Sequence, residues 1–262
     1  MEEIALQTHS LTRRFGDLVA VDHLELTVPR GVIYGFLGPN GAGKSTTIHM
    51  LTGLLPPSEG SATVGGYDIR RDVLQVKRIS GVVPEELGLY ERLTAAEQLE
   101  LVGRLAGLSQ AQISDRIPSL LSLLELEESG NKMIVDYSQG MRKKTAIACA
   151  LIHTPDILFL DEPFQSIDPI STRAIKAVLQ DMVARRGTTI FFSTHVMELA
   201  ERFCHRVGII HKGQLVTEGA IDALRAQSGL PPDASLEDVF IRSVGADVAE
   251  AGLLEWLTGD AV

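Results

Sequence analysis

Residues 38–46 read Gly38-Pro39-Asn40-Gly41-Ala42-Gly43-Lys44-Ser45-Thr46, the full spacing GxxxxGK[ST]. Each position has a chemical reason. The glycines let successive backbone N–H groups converge on phosphate oxygens without Cβ atoms in the way. Lys44 brings a point charge to the β- and γ-phosphates, and the Ser45 hydroxyl is a ligand for Mg²⁺. Further along, Ile157-Leu158-Phe159-Leu160 runs into Asp161-Glu162-Pro163. An apolar strand that ends in two acids sets carboxylates at the lip of a parallel sheet, where ligands of α/β folds sit. There Asp161 suits the shell of a Mg²⁺ ion, and Glu162 suits the orientation or deprotonation of an attacking water. Another strand, Ile190 to Phe192, ends at Ser193-Thr194-His195. A lone histidine usually satisfies a local backbone group, but at this lip a neutral imidazole reaches a γ-phosphate. Lastly, Ser138 and Gly140 open an apolar helix, so its N–H groups and macrodipole favour an anion. Taken alone, that last feature is also an ordinary helix cap. The chemistry these residues describe is binding and hydrolysis of a nucleoside triphosphate with Mg²⁺.

The elements that must position them are legible nearby. Val32 to Leu37 is an apolar run between Gly31 and Gly38, as a buried strand would be. Thr47 to Thr52 predicts a helix that stops at Gly53 and points its N-terminus at the anion. Residues 4–28 alternate around Gly16-Asp17, which predicts an antiparallel hairpin. Residues 56–66 are rich in Pro, Gly and Ser and predict a loop with a short strand, Ser61 to Val64. From about 86 to 146 the strand pattern disappears. Thr94-Ala95-Ala96-Glu97 is a capping box for a helix carrying Leu99, Val102, Leu105 and Ala106. Ile113, Ile117, Leu120, Leu121 and Leu124 form a second stripe, with Pro118 as a kink or a fresh N-terminus. The core resumes at 157–160 and 188–192, around a helix over 170–185. A closing hairpin over 207–216 turns at Lys212-Gly213. A short helix beyond Gly219, a break at Gly229, Pro231 and Pro232, and an amphipathic stretch from Leu236 complete the chain. The fold class expected is α/β: a P-loop NTPase core with a mainly parallel sheet, an N-terminal antiparallel β-subdomain and an inserted helical subdomain. The expected domains are 1–220, with the helical insertion at about 86–146, and a C-terminal helical tail over 221–262.

Composition narrows the partners. The 262 residues carry 24 Lys and Arg against 34 Asp and Glu, a net charge of −10. That is the wrong sign for a phosphate backbone, so nucleic acid is not an expected partner. The longest apolar stretches, Ala146 to Ile152 and Ile157 to Leu160, fall far short of the about 20 residues a membrane span needs. Met1-Glu2-Glu3 is acidic where a signal peptide would be basic. The two cysteines, Cys149 and Cys204, sit in apolar-periodic segments and read as reduced core residues. A cytoplasmic location is expected.

In this order the motifs resemble those of the nucleotide-binding subunit of an ABC transporter, across about residues 4–220. The resemblance implies that Phe15 stacks on adenine and that Gly38 to Thr46 is the Walker A loop. It places Glu85, after Pro84, at the Q-loop position facing Mg²⁺ or its water. Ser138 and Gly140 fall in the signature motif, Asp161 and Glu162 in Walker B, Asp168 in the D-loop, and His195 at the switch histidine. Three spellings depart from the family. Tyr137, Gln139 and Met141 stand in a signature that usually reads Leu-Ser-Gly-Gly-Gln, Glu85 replaces a glutamine, and Phe164 to Asp168 is bulkier than the usual D-loop. With Ser235 to Phe240, these spellings are similar to the exporter branch, whose membrane subunit is a separate chain.

What the resemblance implies is an ATPase that uses ATP and Mg²⁺ and works as a head-to-tail dimer, with a homodimer expected. Each ATP would lie between one copy's Walker A loop and the other's signature. Hydrolysis would drive export through a membrane-spanning subunit, with this chain peripheral on the cytoplasmic face. A soluble relative that remodels nucleic acid or ribosomes would usually carry coiled coils, zinc modules or a second cassette, and none is visible. A regulatory module that binds without turnover is disfavoured by the presence of both Glu162 and His195. Leu87, Leu89, Tyr90 and Leu93 are either core contacts or the wall of a groove for a helix of the membrane subunit.

Overall fold

Ile4–Phe15, twelve residues whose alternation of inside and outside is broken by irregularities in register, form β1 of the computed structural model, which describes residues 3–231 and 233–244. The chain turns at Gly16, whose φ of 58° suits a residue without a Cβ. It returns as β2 (Leu18–Leu24) and β3 (Thr27–Pro29), so the expected hairpin is present. Next come β4 (Ile33–Leu37), all five residues of which are buried, and α1 (Lys44–Leu51). The helix begins at Lys44 rather than at Thr47, because Gly43 caps it at φ 107° and the loop runs straight into its first turn.

The Pro- and Gly-rich stretch is more regular than its composition suggests. β5 (Glu59–Val64) and β6 (Tyr67–Asp68) form a hairpin through Gly65 and Gly66, and β5 pairs with β1 from Leu6↔Val64 to Thr12↔Glu59. Then follow α2 (Val73–Ile79) and β7 (Ser80–Val83), two elements too short to show a period. The helical insertion consists of α3 (Ala95–Leu105) and α4 (Gln110–Leu123), and it leads into α5 (Gln139–Leu151). Reciprocal capping boxes close α3 at Thr94/Glu97 and α4 at Ser109/Gln112. Pro118 lies inside α4 and starts no new helix. The remainder is β8 (Ile157–Asp161), α6 (Pro169–Arg186), β9 (Thr189–Thr194), α7 (Met197–Phe203), β10 (Arg206–His211), β11 (Gln214–Ala220), α8 (Ile221–Ser228) and α9 (Leu236–Val244). Pro232 and residues 245–262 of the expected tail, like Met1 and Glu2 of the acidic start, lie outside the described residues.

Two sheets result. One has the order β2-β1-β5-β6, with β3 also on β1, and every pairing in it is antiparallel. The other has the order β11-β10-β4-β9-β8-β7, parallel except for its β10–β11 edge. One apolar cluster joins the insertion (Leu99, Leu121, Leu126) to one face of the parallel sheet through Leu158 and Phe192. A second fills the space between the two sheets with Leu24, Phe36, Ile48, Phe159 and Phe191. Leu224, Leu236 and Val239 of α8 and α9 belong to the first cluster, so these helices pack on the body. Cys149 and Cys204 are free thiols, and burial pushes Cys149 up to about 12, which leaves it unreactive. Among the described residues no helix is long and apolar enough to cross a membrane.

The register matters most for chemistry. Leu37 pairs with Thr194, and Asp161 with Ser193. The ends of β4, β8 and β9 therefore lie side by side, and the residues that follow them share one sheet edge.

Candidate nucleotide site

The phosphate loop is held by its own backbone. Lys44 Nζ donates to the carbonyl oxygens of Gly38 at 2.8 Å and Pro39 at 3.1 Å. A Cβ at Gly38 would stand 2.3 Å from the Ile210 oxygen, and one at Gly43 2.5 Å from the Ala20 oxygen, so neither position admits a side chain. Burial pulls the Lys44 ammonium below the usual lysine range, while the charges of Glu162, Asp161 and Glu85 act against that shift. Over the loop lies a cleft of about 470 Å³. Asn40, Gly41, Gly43, Lys44, Ser45 and Thr46 form its floor, Glu85 and Glu162 also line it, and Phe15, Leu18 and Ala20 supply an apolar arm from the antiparallel sheet. Gly38 and Ala42 support the loop from outside that lining.

Asp161 is fully buried at the end of β8. Its Oδ1 accepts from the Ser193 hydroxyl, whereas Oδ2 has no hydrogen-bond partner. A buried carboxylate oxygen left in that state is costly unless something else completes it. Ser45 Oγ lies 3.4 Å from Glu85 Oε2. Ser45, Glu85 and Asp161 thus offer oxygen donors only, the chemistry Mg²⁺ selects. Among the described residues no three His, Cys, Asp or Glu side chains form a ready metal cage.

Glu162 follows at φ 45°, a region sparsely used by residues other than glycine. The carboxylate is nearly buried and well supported. Oε1 accepts from the His195 backbone N–H at 3.0 Å and lies 2.7 Å from His195 Nδ1, while Oε2 accepts from Thr194 Oγ1 at 3.2 Å. Lys44 Nζ is 3.9 Å from Oε1. Glu162 and His195 are therefore a pair, and the ring nitrogen left unengaged by Glu162 is Nε2.

Ser138 and Gly140 do not join this cleft. Ser138 caps α5, its hydroxyl accepting from the Met141 N–H at 3.3 Å. A Cβ on Gly140 would meet the Ser166 oxygen at 2.6 Å, so the start of α5 lies against the segment that leads to Asp168. Asp168 caps α6, and the Ser171 hydroxyl and N–H, with Lys144 at 3.2 Å, hold its carboxyl below the usual range. Several supporting residues were not singled out by sequence reasoning: Ser193, Thr194, Leu18, Ala20, and Lys143, which donates to the Asp161 main-chain oxygen at 3.1 Å. Ser193 and Thr194 had a signal, since they end a strand next in line to the acidic one. Lys143 had none, because a lysine in a basic run reads as solvated.

A strand, phosphate loop and helix facing an acid pair at the end of β8, one strand further along the same parallel sheet beyond β9, define a phosphate-loop nucleotide-binding protein. The family model described as ABC transporter matches residues 21–165, and the chain belongs to that family as an ATP-binding subunit. It is 36% identical over 244 residues to the probable multidrug ABC transporter ATP-binding protein YbhF of Escherichia coli K12, covering 92% of this chain and 42% of that protein. The chain thus spans less than half the length of that relative. It is also 35% identical, over 100% of its length and 81% of the relative's, to the daunorubicin resistance ATP-binding protein DrrA3 of Streptomyces coeruleorubidus. Among solved structures, the dimeric post-hydrolysis state of an ATP-binding cassette bound to ADP and Pi superposes with a TM-score of 0.76 at 25% identity, covering 82% of this chain and 98% of that one.

Proposed function

We propose that the chain hydrolyses ATP with Mg²⁺ in a head-to-tail dimer and drives export through a separate membrane-spanning subunit. The observation that carries this reading is the pairing of Glu162 with His195 beside Lys44, next to an Asp161 oxygen that lacks a partner. In this reading Ser45, Asp161 and Glu85 would hold a Mg²⁺ ion, which would screen the phosphate charge when bound. Lys44 leaves its carbonyl partners for the β- and γ-phosphates, and the loop N–H groups of residues 40–46 hold the rest. Phe15 receives adenine. Glu162 takes a proton from water as the water oxygen bonds to the γ-phosphorus and the bond to ADP breaks. His195 holds the Glu162 carboxylate in place and presents Nε2 toward the γ-phosphate. A net charge of −10 supports a reading without nucleic acid, and residues 221–262 are taken as an appendage to a 1–220 ATPase domain with its helical insertion at about 86–146.

Removing the Lys44 charge is the direct test of the nucleotide site. Lys44→Ala is expected to weaken ATP binding about 10- to 100-fold, the cost of losing charged hydrogen bonds. Titration with a fluorescent ATP analogue reads this out, and unchanged affinity would overturn the phosphate-loop reading.

The segment after Glu85 divides between core and surface. Leu87 and Leu89 pack partly against the core, whereas Tyr90 is 63% exposed. Leu87 and Leu89 also wall a cavity of about 250 Å³ shared with Glu91, Arg142 and Gln165. Tyr90 is therefore the residue that separates docking from folding. Tyr90→Asp should leave basal ATPase activity within about twofold, as an exposed substitution does, and abolish co-purification with the membrane subunit. Co-purification at the wild-type level would remove this segment from the docking surface. Charge at Leu89 is expected to cost folding as well.

A further inference from the structure

The apolar arm of the cleft has a second layer behind it. The Arg13 guanidinium carbon stands 4.5 Å from the centre of the Phe15 ring. Its Nη1 donates to the Pro56 carbonyl at 2.8 Å, and its Nε is buried with no hydrogen-bond partner. The register of β1 against β2 is irregular between Arg13 and Arg14, and the contact itself places the Arg13 and Phe15 side chains together. Arg14, between them, turns away and pairs with Glu59 at 3.2 Å. Phe15 lines the cleft, and Arg13 is not among the lining residues. Phe15 is 46% exposed.

We propose that Arg13 is a positioning residue for the nucleotide base, forming a guanidinium–Phe15–adenine stack. The inference rests on the reading that Phe15 receives adenine. An exposed aromatic ring loses rotamer freedom when a ligand stacks on it. A cation already seated on one face, itself tied to Pro56, removes that freedom before the ligand arrives. The same cation draws π density toward its own face of the ring, which makes the opposite face a better partner for an electron-rich purine.

Equilibrium titrations of the full chain, with Mg²⁺ withheld so that ATP is not consumed, test this using ATP and tripolyphosphate as probes. Arg13→Gln should weaken ATP about 2- to 5-fold, the size of a cation–π contact, and leave tripolyphosphate affinity unchanged. Arg13→Lys, which keeps a cation over the ring, should bind ATP more tightly than Arg13→Gln. In a Phe15→Ala background, Arg13→Gln should have no further effect. Unchanged ATP affinity in Arg13→Gln, where Phe15→Ala still weakens ATP, overturns the proposal and leaves the adenine reading standing. No effect of Phe15→Ala itself overturns both. Equal losses for ATP and tripolyphosphate, or equal losses in Arg13→Gln and Arg13→Lys, would show that Arg13 acts on the phosphates or the fold and not through the ring.

Discussion

Glu162→Gln should keep its ATP and lose about 10²- to 10⁴-fold in turnover, the range that a positioned proton acceptor contributes. The local geometry explains why binding survives. A glutamine at this position still offers one oxygen to the His195 backbone N–H and ring, the partners Glu162 holds at 3.0 and 2.7 Å. Its amide nitrogen can donate to Thr194 Oγ1, where the carboxylate now accepts at 3.2 Å. The main losses are the basic oxygen that takes the proton from water and a charge 3.9 Å from Lys44 Nζ. Phosphate release under single-turnover conditions, beside an ATP titration, separates the two quantities. A variant that hydrolyses ATP at the wild-type rate would remove Glu162 from the role of base. One that no longer binds ATP would show that the Lys44–Glu162 contact is part of the binding site instead.

How much of this site could be read from the residues depends on the range of the interactions involved. The phosphate loop was legible because its glycines answer to local sterics, as the close approaches at Gly38 and Gly43 show. The acid pair was legible because a five-residue apolar strand ending in carboxylates has few other uses. The Glu162–His195 pairing was not, since it depends on β8 and β9 being neighbours in the sheet and on the unusual φ of Glu162. The strand β7 and helix α2 were missed for a different reason: Ser80–Val83 has only four residues, and what makes it a strand is the β8 backbone beside it. Pro118 was open to two readings, and packing of α4 through Ile113 and Leu121 decides between them. Arg13 illustrates the remaining gap. Its neighbour Arg14 has the same charge, and only the partners that folding brings near, Phe15 and Pro56 for one and Glu59 for the other, tell the two apart.

ATP should convert the Glu162→Gln variant from monomer to dimer, and Ser138→Arg should block that conversion. The argument starts from a mismatch inside one chain. Ser138 and Gly140 sit at the start of α5, where helix N–H groups favour an anion, yet neither residue lines the cleft that holds Lys44. In the proposed head-to-tail dimer a second copy would supply the γ-phosphate to this helix start, and the solved relative described above is itself a dimer. A Cβ at Gly140 would stand 2.6 Å from the Ser166 oxygen, so the start of α5 packs directly on the approach to Asp168. In that arrangement, contact with a partner's nucleotide would bear on the segment from Ser166 to Asp168. An arginine at 138 replaces a small cap with a long side chain across the surface where the partner's phosphate must approach. Its positive charge does not compensate for that obstruction, because the contact needs the N–H groups at close range. Sedimentation at rising ATP concentration measures the outcome, with Glu162→Gln preventing the dimer from hydrolysing itself apart. The double variant Glu162→Gln, Ser138→Arg should remain monomeric while binding ATP to its own loop within about threefold of the parent, since Ser138 is outside that cleft. If the Glu162→Gln variant stays monomeric at saturating ATP, even with its membrane subunit present, the head-to-tail reading is wrong. If Ser138→Arg dimerises normally, the start of α5 has another use.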